Sequence, residues 1–131
     1  MNSLIFAAII AGFIINLADI AITLLFAAKP WNAVLRSQGI EPSPFTPPYY
    51  IIANFVGAGF LIAAYQIAAV SLGKGAITAL ITSLSLWVVT RLYGGGHAVV
   101  RQIPWRLFAI MSSGLGLGYV LAGQFLGYWL R

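Results

Sequence analysis

The chain has 131 residues, 61% hydrophobic and 7% charged, with a mean hydropathy of +0.96; soluble domains carry about 25% charged residues, so this composition cannot clothe a water-facing surface and reads as an integral membrane protein. Cysteine is absent, which excludes a disulfide framework, a thiolate nucleophile and a sulfur-ligated metal. The net charge is +5, but the basic residues sit singly at the ends of apolar runs and form no stripe with interleaved aromatics, so nucleic acid is excluded as a partner and the lipid bilayer is the expected one.

The N-terminal MNSLIF carries no basic region, and the small-residue cleavage pattern before Lys29 is poor because Leu25 and Phe26 interrupt it. The first apolar run is therefore expected to be retained as a span rather than removed as a signal. A span needs ~20 mostly apolar residues, and the first covers about 4–28. In the connection that follows, Pro30 can open a short helix and Gly39 can end it. Trp31, Val34 and Leu35 recur at i, i+3 and i+4, the spacing of an interfacial helix. Pro42, Pro44, Pro47 and Pro48 then forbid regular helix. The second span covers about 49–72, a Gly-Lys-Gly turn follows at 73–75, and the third covers about 76–93. GGGHAVVRQIP at 94–104 is expected to be a loop, with Pro104 opening a fourth span over about 104–130. The expected fold is all-α: one integral membrane domain over 1–131, built as a four-transmembrane-helix up-down bundle with a short interfacial helix after span one.

Lysine and arginine near span ends set orientation. Lys29, Arg36, Arg91, Arg101 and Arg106 fall on one side, and Lys74 and Arg131 on the other. This predicts that the connections 29–48 and 94–103 are cytoplasmic and that both termini lie outside, with Arg91 counting only if it lies beyond the bilayer core. Trp31, Tyr49, Tyr50, Tyr93 and Trp105 cluster at the first set of span ends, and Tyr128 and Trp129 at the other, as aromatic belts do. Trp87 falls inside span three and reads as a packing residue.

FAAIIAGFIINLADIAITLLFAA, residues 6–28, holds a single charge, Asp19. At ~1.5 Å per residue Asp19 and Arg91 reach about the same depth, ~24 Å from the outer end of their spans. Asn54 falls within one turn of that level, and Ser112 and Ser113 lie a little deeper. Asn16, Asp19 and Thr23 share one face of span one at i, i+3 and i+7. Asn16, Asp19, Thr23, Asn54 and Arg91 thus form an expected intramembrane polar layer. An isolated carboxylate at a span centre costs about 2.5–3.5 kcal/mol, so a charged hydrogen bond between Asp19 and Arg91 is the expected compensation. The layer has two readings, a polar clamp that fixes helix register and a protonation or ion site on a transport path. A third places Asp19 or Arg91 against a partner protein or nearer the headgroups.

Span four contains SSGLGLGYVLAGQFLG. Gly114 and Gly118 lie four apart, as do Gly123 and Gly127, the spacing that lets two helix backbones approach in lipid. Packing within the chain is the simpler expectation and packing between chains the alternative. His97 is the only histidine; a solvated loop residue is the simple reading and haem or chlorophyll ligation the other. With two acids, Asp19 and Glu41, and His97 expected outside the membrane, neither a carboxylate pair nor a Ser-His-Asp set can be assembled. No enzyme activity and no cofactor or metal site are expected.

IPWRLFAIMSSGLGLGYVLAGQFLGYWL resembles the last helix of an uncharacterised family of small bacterial four-span membrane proteins, through Pro104, Trp105, Arg106, Leu107, Phe108 and the late Gly123. The start MNSLIFAAIIAGF and the KPW at 29–31 are similar as well, whereas Asn16 and Asp19 stand where that family has Gly and Trp-Tyr. The resemblance implies a four-span layout and no particular activity. The expected location is a bacterial inner (cytoplasmic) membrane or a related energy-converting membrane. The expected role is a non-catalytic accessory or structural subunit that packs against other membrane subunits or as a homo-oligomer. The alternatives are a small oligomeric solute or ion carrier using Asp19, and a pigment- or quinone-contacting subunit of an energy-converting complex.

Overall fold

A computed structural model describes residues 2–43 and 48–131. The expected helix-breaking role of Pro44 and Pro47 lies outside the described residues; Pro48, expected to forbid helix, instead opens one at its first position, where the missing N–H has no helical partner to lose. The protein is an all-α bundle: α1 (Asn2–Ile22), a π-helical turn (Thr23–Ala27), α2 (Ala28–Ser37), α3 (Pro48–Leu72), α4 (Ala76–Val100) and α5 (Trp105–Trp129). Among the described residues, four helices are long and apolar enough to cross a membrane. At ~1.5 Å per residue a 25-residue helix is about 37 Å long, more than the ~30 Å hydrocarbon core.

Two connections differ from the sequence expectation. The interfacial helix does not begin afresh at Pro30; α1, the π turn and α2 run on as one helix from Ser3 to Ser37. Pro30 has no N–H to offer the Phe26 carbonyl, and its ring crowds that carbonyl. The ladder widens to i→i+5 over Thr23–Ala27, and Ala27 departs from ideal helix at φ −114°, so the proline is absorbed without breaking the rod. Gly39 ends α2 as expected: its φ is +75°, its N–H donates to the Arg36 carbonyl at 3.0 Å, and the Ile40 N–H donates to the Leu35 carbonyl at 3.0 Å. That pair of bonds is a Schellman cap.

The second difference is α4. It continues through Gly94, Gly95 and Gly96 to Val100, so the loop expected at 94–103 shrinks to residues 101–104. Glycine breaks helices mainly where water competes for the backbone, and in lipid an unpaired backbone group is costly enough to hold the ladder together. Phe108 packs over Gly94 and Gly95, near enough for ordinary van der Waals contact with a Cβ at either position. The stop comes at Gln102, whose φ of +54° is the only positive value among the described non-glycine residues. The Gln102 N–H donates to the Val99 carbonyl at 3.1 Å and the Ile103 N–H to the Ala98 carbonyl at 3.0 Å. This is a second Schellman cap, with glutamine where glycine fits best. Gln102→Gly is therefore expected to raise stability by about 1 kcal/mol, read as a higher midpoint in a detergent-denaturation titration.

Around the bundle the helices follow the order α1, α3, α4, α5, with α1 and α4 across one diagonal. Helix α5 is the hub: 50% of its span is buried, against 22–28% for the other three. Its glycines explain this. At 100° per residue, Gly114 and Gly118 lie on one side of α5, and Gly116, Gly123 and Gly127 about 180° away. The first side receives α1: a Cβ at Gly118 would lie 2.9 Å from Ile15 Cα, and one at Gly114 2.9 Å from Ile22 Cβ. The second side receives α4: Gly116 meets the Trp87 ring, Gly123 meets Ser83 and the Ala79 carbonyl, and Gly127 meets Ala79 and the Gly75 carbonyl. All four glycines singled out in the sequence thus lie against the chain's own helices, and the core they enclose is built on Ala7, Ala11, Ile15, Ala58, Leu61, Tyr119, Ala122 and Leu126. The α3–α4 side is looser and carries an open groove of about 350 Å³ lined by small and branched residues, among them Ala64, Ala68, Thr82 and Ser85.

Candidate functional site

Asn16 and Asp19 project from α1 one turn apart, and Asn54 projects from the first half of α3 towards both. The Asn54 side-chain Nδ2 donates to Asn16 Oδ1 at 3.0 Å and to Asp19 Oδ2 at 3.2 Å. Asn16 Nδ2 donates in turn to the Ile51 carbonyl of α3 at 3.3 Å and to the Gly12 carbonyl of its own helix at 3.0 Å. Three bonds therefore cross between α1 and α3 at one level, and Asn16 and Asn54 are both buried. One turn towards the N-terminus, the Phe55 ring fills the place a Gly12 side chain would take and meets Phe13 edge-on at 5.3 Å. Apolar packing and the polar bonds thus fix the same α1–α3 register.

Arg91 does not join this set directly. No contact of 4.0 Å or less links its guanidinium to the Asp19 carboxylate among the described residues, so the expected Asp19–Arg91 bond is replaced by the Asp19–Asn54 bond. Equal depth does not determine which way a side chain faces, and α4 stands diagonally across from α1. Arg91 remains within electrostatic reach of Asp19 and of Tyr119. Its guanidinium lies 5.9 Å from the centroid of the Phe108 ring, and its Nε is buried with no hydrogen-bond partner among the described residues. Thr23 stands a turn beyond Asp19, at the start of the π turn, and makes no side-chain bond to Asn16, Asp19 or Asn54.

Two groups at the layer, Tyr119 and Trp87, were not singled out in the sequence for this role, and Ser112, expected a little deeper, stands beside them. Tyr119 of α5 is only 4% exposed, and its hydroxyl packs against the bare backbone of Gly57 on α3. Trp87 Nε1 donates to the Ser112 carbonyl at 2.8 Å, tying α4 to α5 one turn from Arg91. The Ser112 hydroxyl is buried with no hydrogen-bond partner among the described residues. A tyrosine directly after Gly118, facing a helix that carries its own bare glycine at 57, is the signal that sequence reading could have used. Ser113, by contrast, is exposed and bonds back to the Ile110 carbonyl.

The side chain of His97 lies outside the described residues, so the ligation reading falls there too. Among the described residues no three His, Cys, Asp or Glu side chains could hold a metal ion. What the layer does chemically is satisfy one carboxylate and two amides inside an apolar bundle, with an arginine poised close by. No protein-family model, curated protein or solved structure matches this chain.

Proposed function

We propose that this chain is a non-catalytic membrane subunit that acts in the plane of the bilayer, packing against other membrane subunits or against copies of itself. The observation that carries the reading is the Asn16–Asn54–Asp19 set: its bonds close between α1 and α3 and hold register, which is the work of a scaffold. Support comes from the outside of the molecule, where large apolar side chains such as Phe13, Leu17, Phe60, Ile67, Leu92 and Leu121 are exposed along the spans, and the described connections between helices are short. A partner reaching this protein meets helix flanks rather than a domain in water. The glycine seams do not support the reading, because α1 and α4 already occupy them.

Gentle extraction followed by native mass measurement tests it. The expected result is a species heavier than one 14.0 kDa chain; a lone monomer as the only species overturns it. A second reading, a small carrier using Asp19, is favoured by one observation, the unpartnered Nε of Arg91 within electrostatic reach of Asp19. Ionisable groups inside spans often mark such paths. Proteoliposome flux that disappears in Asp19→Asn while the bundle stays folded would establish the carrier instead.

A further inference from the structure

The end of the bundle where α2 meets the α4–α5 turn has a chemistry that the subunit reading does not use. Helix α2 is far more amphipathic than any of the spans. Trp31, Val34 and Leu35 are half-buried along one side, while Lys29, Ala33 and Arg36 are exposed along the other, and no residue of α2 is fully buried. Counted from Ser3, the continuous helix of 35 residues is about 52 Å long, beyond the ~40–45 Å of a whole bilayer with its headgroups. Its last turns, and Arg36 with them, therefore emerge at headgroup level.

A tertiary bond gathers further charge there. Gln38 Nε2 donates to the Arg101 carbonyl at 3.0 Å, fastening the end of α2 to the α4–α5 turn. Arg36 precedes Gln38 by two residues, Arg101 stands in the turn, and Arg106 occupies the first turn of α5 with its guanidinium 5.7 Å from the centroid of the Trp105 ring. Arg36, Arg101 and Arg106 are all exposed. Lys29 adds a fourth cation two turns back along α2, and Glu41 is the only acid in this part of the chain.

We propose that this end of the protein is a binding surface for anionic phospholipid headgroups, with Arg36, Arg101 and Arg106 holding the phosphate and Lys29 adding charge. Guanidinium groups match phosphate oxygens in a two-pronged fork, which a lysine does not. Indole rings settle at headgroup depth, so Trp105 places the Arg106 charge where lipid phosphates lie. A basic surface at the ends of packed transmembrane helices recognises anionic lipid with a gain of about 1 kcal/mol per cation near the surface. The Gln38–Arg101 bond ties the end of α2 to the turn, so that Arg36 and Arg101 belong to one surface.

The test is native mass spectrometry of the detergent-solubilised full chain, titrated with phosphatidylglycerol or with phosphatidylcholine of identical acyl chains. The wild type is expected to retain phosphatidylglycerol at the lower concentration, and each arginine changed to glutamine among Arg36, Arg101 and Arg106 to weaken that preference about fivefold. The Lys74→Gln/Arg131→Gln double variant, altered at the opposite end, is expected to keep it. Because the three arginines are exposed, their variants are expected to stay folded. A reading on unaltered protein stands beside them: raising salt to about 0.5 M should weaken phosphatidylglycerol retention and leave phosphatidylcholine unchanged. Equal retention of both lipids by the wild type overturns the proposal. So does a preference lost in the double variant at the other end, or displacement by millimolar inorganic phosphate, which would make this a site for a soluble anion. These outcomes do not depend on whether the chain is found alone or with partners.

Discussion

Asn54→Leu is expected to destabilise the bundle by about 2–4 kcal/mol, read as a shift in the midpoint of an SDS titration in mixed micelles. The leucine removes a single amide nitrogen that serves both Asn16 Oδ1 and Asp19 Oδ2. What remains is a carboxylate and an amide oxygen facing an apolar side chain, and an acceptor left bare inside a membrane protein costs more than the bond it made was worth. The cost should shrink when Asp19 is also removed. In a double-mutant cycle Asp19→Leu and Asn54→Leu are expected to couple by about 1 kcal/mol or more, within the range found for contacting residues. The same cycle between Asp19→Leu and Arg91→Leu is expected to show the smaller coupling, because those two act on each other across a gap. A larger coupling in the Arg91 cycle than in the Asn54 cycle would mean that Arg91, not Asn54, is the main partner of the carboxylate.

Gly118→Ala is expected to cost about 1–3 kcal/mol, and Gly118→Leu more, measured by the same titration. The added Cβ would stand 2.9 Å from Ile15 Cα and 3.0 Å from the Ile15 carbonyl oxygen. Both are main-chain atoms, so no rotamer change relieves the clash and α1 must move away from α5 as a body. That movement would also disturb the Asn16 level one residue beyond Ile15. Gly59→Ala is the matched control: a Cβ there meets nothing within 4 Å, and helix propensity should make it stabilising by about 0.5–1 kcal/mol. If Gly118→Ala proves as harmless as Gly59→Ala, the close approach of α1 to α5 is refuted.

The two expectations draw on opposite kinds of information. The glycine pairs could be read from their spacing alone, because a period of 3.6 places residues four apart on one face of any helix. Gly116, awkward for a single seam, falls in with Gly123 and Gly127 once a second helix is allowed on the far side of α5. The partner of Asp19 could not be read in that way. Depth follows from counting residues along a span, but direction around the axis matters only relative to neighbours, and their order around the bundle is a property of the whole chain. Asn54 therefore reaches the carboxylate and Arg91 stops short of it.

Hydropathy was enough to specify a membrane medium, four spans and their approximate limits, and the positions of lysine and arginine the crowding of basic residues at one end, because each is a local sum over the residues of a segment. Gly39 as the stop of α2 is of the same kind, a backbone preference that acts within one turn. Packing of the folded chain settled the rest: Pro30 carried inside a continuous rod by a π turn, Gly94–Gly96 held helical above Phe108, Tyr119 laid against Gly57, and Gln38 bonded to Arg101. Each of these joins residues far apart in the chain or trades a local preference against contacts elsewhere, and such a trade is weighed only once the helices have met.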